Sequence, residues 1–326
     1  MPGWRPLALA TLVAAACRGD GAAGATTFVA DVPARAVTAG EALLARLPPG
    51  AELVVEVDLA RLRANPVVGA VATAVLASPP ELGELGELGE LGAPGELGAP
   101  LEGARALVLA AYRVGTPEAT TLTVVEGGRR PAGAIELGDE RWALVEEGAV
   151  AALLATDGGP GLAIDRELLA LRAWAMPAAA DGASLRVTAR LSPAARAALA
   201  AALGVDAAPA TLSVWGDVAD DLAVIARLAD APPAPRPRWL PALVRLRDRA
   251  AAAAAVTALG LGPPIAAADI RRDDDGVRVA VVVSPGRLRR AVERWRAASI
   301  ASSAVASSAV ASVSAPSTAA LAPGSP

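Results

Sequence analysis

One local plan recurs three times in this chain: an apolar strand that turns directly into a helix. The three copies begin near Leu47, Ser184 and Val277. In each copy apolar side chains occupy alternate strand positions, which predicts one face in a core and the other in water. Because a half-buried strand and an amphipathic helix must each cover an apolar face, the repeated corner predicts helices packed on a sheet.

The residue at each corner explains why the helix begins there. Ser192 offers its hydroxyl to the unpaired amides of the first helical turn, and Pro193 follows where a missing N–H has no cost. Ser284 and Pro285 repeat this arrangement, and Asp58 stands at the equivalent place in the first copy. These three residues are therefore predicted helix N-caps.

The order of the predicted elements indicates an α+β fold of two similar halves, residues 43–178 and 183–298. Each half begins with a strand, a helix and two more strands, which predicts antiparallel sheets with helices packed on one face. Beyond the corners, the predicted strands are Arg105–Arg113, Thr120–Glu126, Ala134–Leu137, Arg141–Val145, Ala149–Thr156, Thr211–Val218, Leu222–Leu228 and Ala267–Arg272. Single helices are predicted for 59–76, Asp165–Trp174, Pro241–Leu259 and from Pro285 to Ala298.

Missing residue types exclude much of enzyme chemistry. The chain has no histidine, lysine or glutamine and a single cysteine, tyrosine and asparagine. Without histidine there is no Ser-His-Asp or Cys-His nucleophile, and without lysine there is no Walker A loop or Schiff base. The net charge of −4 and the scarcity of aromatic residues argue against a nucleic-acid partner. We therefore predict a protein that is not an enzyme and carries no cofactor or metal.

The first 16 residues have the layout of a secretory signal peptide. A single cation, Arg5, precedes the apolar run LALATLVAAA, which is too short to remain as a membrane-spanning helix. The run ends at Cys17, the only cysteine, and the segment 13–17 resembles a bacterial lipoprotein box. In that family the cysteine becomes the acylated first residue of the mature chain. The alternative is cleavage by an ordinary signal peptidase after Ala16 or Ala25.

Three segments read as lying outside the folded halves. Residues 17–42 form an Ala/Gly-rich tether that would follow the lipid anchor. Within residues 79–103, glycine occupies every third position from Gly83 to Gly98 in repeated GEL and GAP triplets, and this run is far too short for collagen. It is interpreted as a low-complexity loop insertion. Residues 299–326 are a Ser/Ala-rich stretch that predicts a disordered tail.

Carboxylates and arginines are the remaining candidates for chemistry. Glu56 and Asp58 lie two apart on the first strand, the spacing of an acid/base pair, but Asp58 also reads as the helix cap. The run 273–276 lacks the alternating ligands and distal glutamate of an EF-hand and reads as a solvated turn. We interpret the aromatic rings as core anchors rather than a ligand cage. The rings of the two halves are Tyr112, Trp142, Trp174, Trp215, Trp239 and Trp295.

The overall pattern resembles that of uncharacterised envelope lipoproteins of GC-rich Gram-negative bacteria. The likeness rests on the lipobox and tether, the phrase LPPGAELVVEVDLARLRANPVVG from Leu47, and the repeated strand and helix units as far as Ala298. It implies a protein on the periplasmic side of the cell envelope. Arginine after Cys17 favours the outer membrane over the inner one. No functional residue carries over from this group.

Three functions follow as hypotheses. The first is a non-catalytic binding or scaffolding lipoprotein of the envelope, anchored through Cys17, with an envelope protein as partner. The second is a carrier that holds a lipid or another apolar ligand between the sheet and the alanine-rich helices. The third is a carboxylate-dependent hydrolase, which requires Glu56 and Asp58 to converge in a cleft.

Overall fold

The computed structural model describes residues 39–77, 101–145, 161–219, 221–230, 237–273 and 275–298. Several predictions lie outside these residues: the signal peptide, Cys17, the tether up to residue 38, the strand Ala149–Thr156 and the tail 299–326. Most of the insertion 79–103 lies outside them as well. Among the described residues, no helix combines the length and the apolar character that crossing a bilayer requires.

The described chain is mixed α and β. The strands are β1 (Leu53–Asp58), β2 (Ala104–Tyr112), β3 (Thr120–Gly127), β4 (Ile135–Gly138), β5 (Arg141–Val145), β6 (Leu185–Arg190), β7 (Thr211–Val218), β8 (Leu222–Ala229), β9 (Asp269–Asp273) and β10 (Gly276–Val283). The helices are α1 (Ala39–Leu44), α2 (Leu59–Ala64), α3 (Gly69–Ala77), α4 (Arg166–Trp174), α5 (Pro193–Leu203), α6 (Leu240–Ala252), α7 (Ala254–Ala258), α8 (Gly262–Ala266) and α9 (285–298). A 3-10 helix spans Gly161–Ile164.

All strand pairs in the described sheet are antiparallel, and the sheet has ten strands in the order β4-β5-β3-β2-β1-β6-β7-β8-β10-β9. Outward from the centre, the first half (β1 to β5) runs 1-2-3-5-4 and the second half (β6 to β10) runs 6-7-8-10-9. The two halves therefore share one topology, as the sequence predicts. They form one continuous sheet, joined where β1 pairs with β6.

The largest apolar cluster of each half lies on a different face of this sheet, and a smaller cluster of the first half around Val125 and Trp142 lies on the Val55 face. The Val54 face holds the apolar cluster of the first half, in which Val108 and Leu122 lie under Leu43 of α1 and Leu168 of α4. The Val55 face holds the apolar cluster of the second half, which packs against the tryptophan and leucines at the start of α6. The members of this second cluster include Val187, Val214, Val224, Val279, Trp239, Leu240 and Leu243.

The prediction that helices pack on one face is therefore wrong. Helices α1 and α4 lie over the Val54 face, whereas α6 lies over the Val55 face. At the junction of the halves, the central strands are covered on both sides, because α4 packs on β6 and β7. Arg186 and Thr188, expected in water, are consequently buried.

The strand-to-helix corners agree with prediction at two of the three caps. Asp58 Oδ1 accepts a hydrogen bond from Arg61 N at 2.8 Å, and Ser192 Oγ accepts one from Ala195 N at 3.2 Å. At the third corner the backbone oxygen of Ser284 accepts from Leu288 N at 2.9 Å. Its exposed hydroxyl makes no hydrogen bond to a described residue.

Two of the predicted helices are broken. The predicted helix 59–76 divides into α2 and α3, because Pro66 disfavours a helical conformation at Asn65. Asn65 is extended and accepts hydrogen bonds from Val67 N and Val68 N through its side chain, which starts a new turn. The predicted helix Pro241–Leu259 divides into α6 and α7 at Ala253, whose backbone is extended with ψ of 135°.

Candidate functional site

The carboxylate of Glu56 is buried where the two halves meet. Its side chain projects from the Val54 face of β1, and the residue is 5% exposed. Arg172 approaches from α4 and binds both carboxylate oxygens, with Nε to Oε1 at 2.7 Å and Nη2 to Oε2 at 2.9 Å. The third guanidinium nitrogen, Nη1, binds Glu41 Oε1 of α1 at 2.7 Å. We call Glu41, Glu56 and Arg172 the junction cluster.

The geometry of the junction cluster favours permanent charge. Burial opposes the charged form of Arg172, but the hydrogen bonds and charges of Glu56 and Glu41 outweigh it and raise the pKa of Arg172 above its ordinary value. Gly40 leaves room for this arrangement, since a Cβ atom placed there would lie 2.8 Å from Glu56 Oε2. Both oxygens of Glu56 are therefore committed to a bidentate ion pair.

The structure does not unite Glu56 with Asp58 in one site. Glu56 belongs to the junction cluster, whereas Asp58 accepts from the backbone of Arg61 and caps α2. A general acid or base needs a carboxyl group whose lone pair or proton can reach a substrate. In this pair, one carboxylate is held on both oxygens by a guanidinium and the other ends a strand as a helix cap.

A second ionic cluster lies along the edge of the sheet that is formed by the strand ends, next to the last residue of β1. Arg61 of α2 binds Asp217 of β7 through two hydrogen bonds, Nε to Oδ1 at 2.7 Å and Nη2 to Oδ2 at 2.6 Å. Ser184 Oγ donates to Asp217 Oδ1 at 2.7 Å, and Asp181 accepts from Arg61 Nη2 at 3.0 Å. We call these four residues the edge cluster. It ties the first helix after β1 to the second half of the sheet.

The electrostatics of the edge cluster also favour the ionised pair. Hydrogen bonding to Asp217 is the main reason that the pKa of Arg61 is raised. Burial alone would raise the pKa of Asp217, but hydrogen bonds from Arg61 and Ser184 lower it. The pair therefore stays charged over the ordinary working range of pH.

Asn65, the only asparagine of the chain, extends this connection. Its Nδ2 donates to the backbone oxygens of Val218 and Ala219 at 3.0 and 2.5 Å. Because its Oδ1 accepts from two amides of the next turn, the side chain uses all of its donors and acceptors. At the opposite ends of the strands, Gly115 in the β2–β3 turn lies close to the backbone of Ala194 in α5. The chain at the end of α2 and the first turn of α5 thus each lie against a hairpin turn of the opposite half.

The aromatic rings that are fully buried serve as core anchors, as predicted. Trp142, Trp215 and Trp239 are each buried, and their indole N–H groups donate to Gly127 O, Gly182 O and Asp230 Oδ1, respectively. These partners lie in different parts of the fold. Trp174 is half-buried and stacks with the guanidinium of Arg227 at 4.8 Å.

In the acidic turn near residue 273, the side chains of the described residues do not converge on a metal site. Asp273 pairs with Arg227 at 2.7 Å, and Asp274 lies outside the described residues. Throughout the described residues, no group of three or more cysteine, aspartate or glutamate side chains is placed to hold a metal ion.

Sequence reasoning identified Glu56 and Asp58 but not their partners. Arg172 lies 116 positions from Glu56, and Asp217 lies 156 positions from Arg61. Nothing local in the sequence marks these arginines, since the chain has 30 basic residues, all of them arginine. One signal was available in the sequence: Glu56 lies between two valines on a strand. A carboxylate that is buried at such a position requires a cationic partner.

Comparisons with known proteins add little to this description. No protein-family model matches the chain. The search of curated proteins also finds no match. Among solved structures, one titled "Structure of crystal form I of TP0453" is similar with a TM-score of 0.40 and 8% sequence identity, covering 77% of this chain and 96% of that chain. A likeness at this level carries no argument about function.

Proposed function

We propose that this protein is an exported lipoprotein of the cell envelope that acts by binding or scaffolding and not by catalysis. In this proposal, acylated Cys17 anchors the chain to a membrane on the periplasmic side, with the outer membrane favoured over the inner one. The sequence features that motivate it are the short apolar leader and the position of the only cysteine at the end of that leader.

The observation that carries the non-catalytic part is the junction cluster. Glu56 was the strongest catalytic candidate in the sequence, and both of its oxygens accept hydrogen bonds from Arg172. A substrate that bound the carboxylate of Glu56 would have to displace Arg172. The buried charge of Arg172 would then have no partner there, which is strongly unfavourable. The geometry therefore supports a role for Glu56 in joining the halves of the sheet.

The edge cluster and Asn65 support the same interpretation. Their hydrogen bonds run from α2 to β7 and to the turn after it, so they join the halves. The halves of this sheet are connected at both ends of the central strands, which makes the sheet a rigid platform. Rigid elements are suited to presenting a binding surface. The function would then depend on the surface of this platform.

Metabolic labelling tests the anchor. The full chain would be expressed in a Gram-negative host fed with an alkyne-tagged fatty acid, beside the variant Cys17→Ser as the matched control. We expect the label and the membrane fraction to follow the wild-type chain only, and mass spectrometry to place the acyl groups on Cys17. An unlabelled wild-type chain, recovered from the cytoplasm with its leader intact, would contradict the proposal.

A turnover assay tests the non-catalytic part. The purified chain and the variant Glu56→Gln would be assayed with model ester and glycoside substrates. We expect no turnover above the uncatalysed rate from either protein. Turnover by the wild-type chain that the variant loses while remaining folded would establish the carboxylate-dependent hydrolase instead.

A further inference from the structure

The charges of this acidic protein are unevenly distributed. The whole chain has a net charge of −4, yet residues 237–298 contain 12 of its 30 arginines and only 6 of its 34 acidic residues. That segment therefore carries a formal charge of +6. The excess is concentrated in α9, where five arginines accompany a single acid, Glu293. The net charge of the whole chain therefore does not reveal this basic region.

The fold leaves these five arginines on the exposed side of α9, spread over about half of the helix circumference. Leu288, Ala291 and Val292 are buried and fix the orientation of the helix against the rest of the protein. The exposed arginines, which we call the arginine face, are Arg287, Arg289, Arg290, Arg294 and Arg296. Positions seven apart lie nearly above each other on a helix, so the face consists of rows 287/294 and 289/296 with Arg290 between them.

The arginine face differs in its partners from other arginines of the fold. Arg61, Arg172, Arg190 and Arg227 each form an ion pair with a carboxylate. For the five residues of the arginine face, no carboxylate of a described residue lies within 4.0 Å. Like charges three or four positions apart on a helix repel each other, as at 287/290 and 290/294. An external anionic partner would relieve that repulsion.

The neighbourhood of the arginine face indicates which anionic partner fits. The guanidinium of Arg294 lies against Gly260, next to the end of α7. Ala258, two residues before Gly260, is exposed, as are Ala252 through Ala255 earlier in the same segment. Arginines beside small apolar side chains suit the headgroup region of a bilayer, where the cations meet phosphates and the apolar groups meet the acyl boundary. Binding to single-stranded nucleic acid uses exposed aromatic platforms, but the one ring of α9, Trp295, is half-buried.

We propose that the arginine face docks this protein on the surface of an anionic phospholipid bilayer. The helix would lie parallel to the membrane with Arg290 facing it, and the long side chains of the two flanking rows would reach lipid phosphates from either side. This contact involves only the folded part of the chain and does not depend on acylation of Cys17. With a lipid anchor present, it would hold the sheet at a fixed orientation close to the membrane.

Vesicle sedimentation tests this contact in the absence of the anchor. The full chain carrying Cys17→Ser would be mixed with vesicles of phosphatidylcholine alone, or of equal parts phosphatidylcholine and phosphatidylglycerol. We expect binding to the anionic vesicles only, weakened by added salt. Adding Arg287→Gln and Arg290→Gln should weaken this binding about tenfold or more, since each arginine contributes to the attraction.

The matched control removes the same charge elsewhere. Arg129→Gln and Arg166→Gln replace two exposed arginines of the first half that have no carboxylate partner among the described residues, and this variant should bind like its parent. Circular dichroism would verify that both variants remain folded. Equal binding by both variants, or no binding to anionic vesicles, would overturn the proposal. If the α9 variant alone lost binding to duplex DNA while its vesicle binding stayed intact, the proposal would also fail. The arginine face would then be assigned to nucleic acid.

Discussion

The two halves of the sheet have the same strand order, but the largest apolar cluster of each half lies on the opposite face from that of the other. In the first half, the Val54 face is apolar and carries α1, whereas in the second half the same face presents Thr188, Ser213 and Arg227. The apolar cluster of the second half lies on the other side, beneath α6. Topology therefore does not determine which face becomes the core. The alternation of side chains decides it separately for each half.

The change of face explains why an ion pair occupies the centre of the fold. Strands β1 and β6 lie at the junction of the halves, where α4 covers the Val54 face of β6 and apolar clusters cover the Val55 face, so they are enclosed on both sides. A polar residue that would reach water in an ordinary half-buried strand is buried here and requires a partner. Glu56 receives that partner from α4, which crosses from the first half onto β6 and β7.

The largest expected effect comes from removing the cation of the junction cluster. Arg172→Met leaves Glu56 buried without a counter-charge, which should lower the free energy of unfolding by about 3–5 kcal/mol. Urea unfolding followed by tryptophan fluorescence measures the change. The double variant Glu56→Leu/Arg172→Met is the control and should recover most of the loss. A single variant within about 1 kcal/mol of the wild type would contradict the buried-pair interpretation.

Disrupting the edge cluster should have a smaller effect, because the side chain of Arg61 is 33% exposed. Asp217→Ala removes three hydrogen bonds that involve a charged group and should lower the free energy of unfolding by about 1.5–3 kcal/mol near neutral pH. The pKa of Asp217 is lowered from its ordinary 3.8 in the folded state. Its contribution is therefore present above that value and is lost as the pH falls through the lowered pKa.

Unfolding curves for both proteins at a series of pH values check this sign. The difference between the wild-type chain and Asp217→Ala should be constant from neutral pH down to the ordinary carboxyl range and shrink below it. A difference that grows on acidification would show that Asp217 does not stabilise the fold through its charged form.

The third prediction exchanges residues between the two halves on the Val54 face. Val54 and Thr188 are direct cross-strand neighbours, and Thr188 Oγ1 is buried without a hydrogen-bond partner among the described residues. Val54→Thr should destabilise the fold by about 1–3 kcal/mol, because it buries another hydroxyl. Thr188→Val should stabilise it by about 1 kcal/mol, because it removes one. Thermal unfolding of both variants gives the two signs, and equal signs would refute the proposed difference between the halves.

The smallest effect compares two corners of the second half. Ser192 caps α5 through its hydroxyl, so Ser192→Ala should cost about 1 kcal/mol. Ser284 is exposed and makes no such bond to a described residue, so Ser284→Ala should change the free energy of unfolding by less than about 0.5 kcal/mol. Urea unfolding of the two variants side by side checks the ranking. A larger loss at Ser284 would show that the third corner is also capped by its hydroxyl.

The sequence predicted the features that depend on near neighbours. The boundaries of β5 and β7 agree with prediction at both ends, and the caps Asp58 and Ser192 were predicted from residue type and position. These signals operate within a few residues, through side-chain alternation and hydrogen bonds to the next turn.

Features that depend on distant neighbours were not predicted. The burial of Glu56 and of Arg186 requires knowing that α4 returns over the centre of the sheet. The break at Ala253 has no proline or glycine to mark it, and the alanines around it favour a continuous helix. The arginine face was likewise not predicted, because the net charge of a chain does not indicate where the charged residues lie in the fold.

Native-state hydrogen exchange at the amides of β1 and β6 tests most directly whether the junction cluster unites the halves into one folding unit. In the wild-type chain, we predict that both strands exchange only through global unfolding, with equal free energies of opening. In Arg172→Met, the protection of both strands should fall by the same amount. Protection of β6 that stays at its wild-type level while that of β1 collapses would show two independent halves and contradict the account.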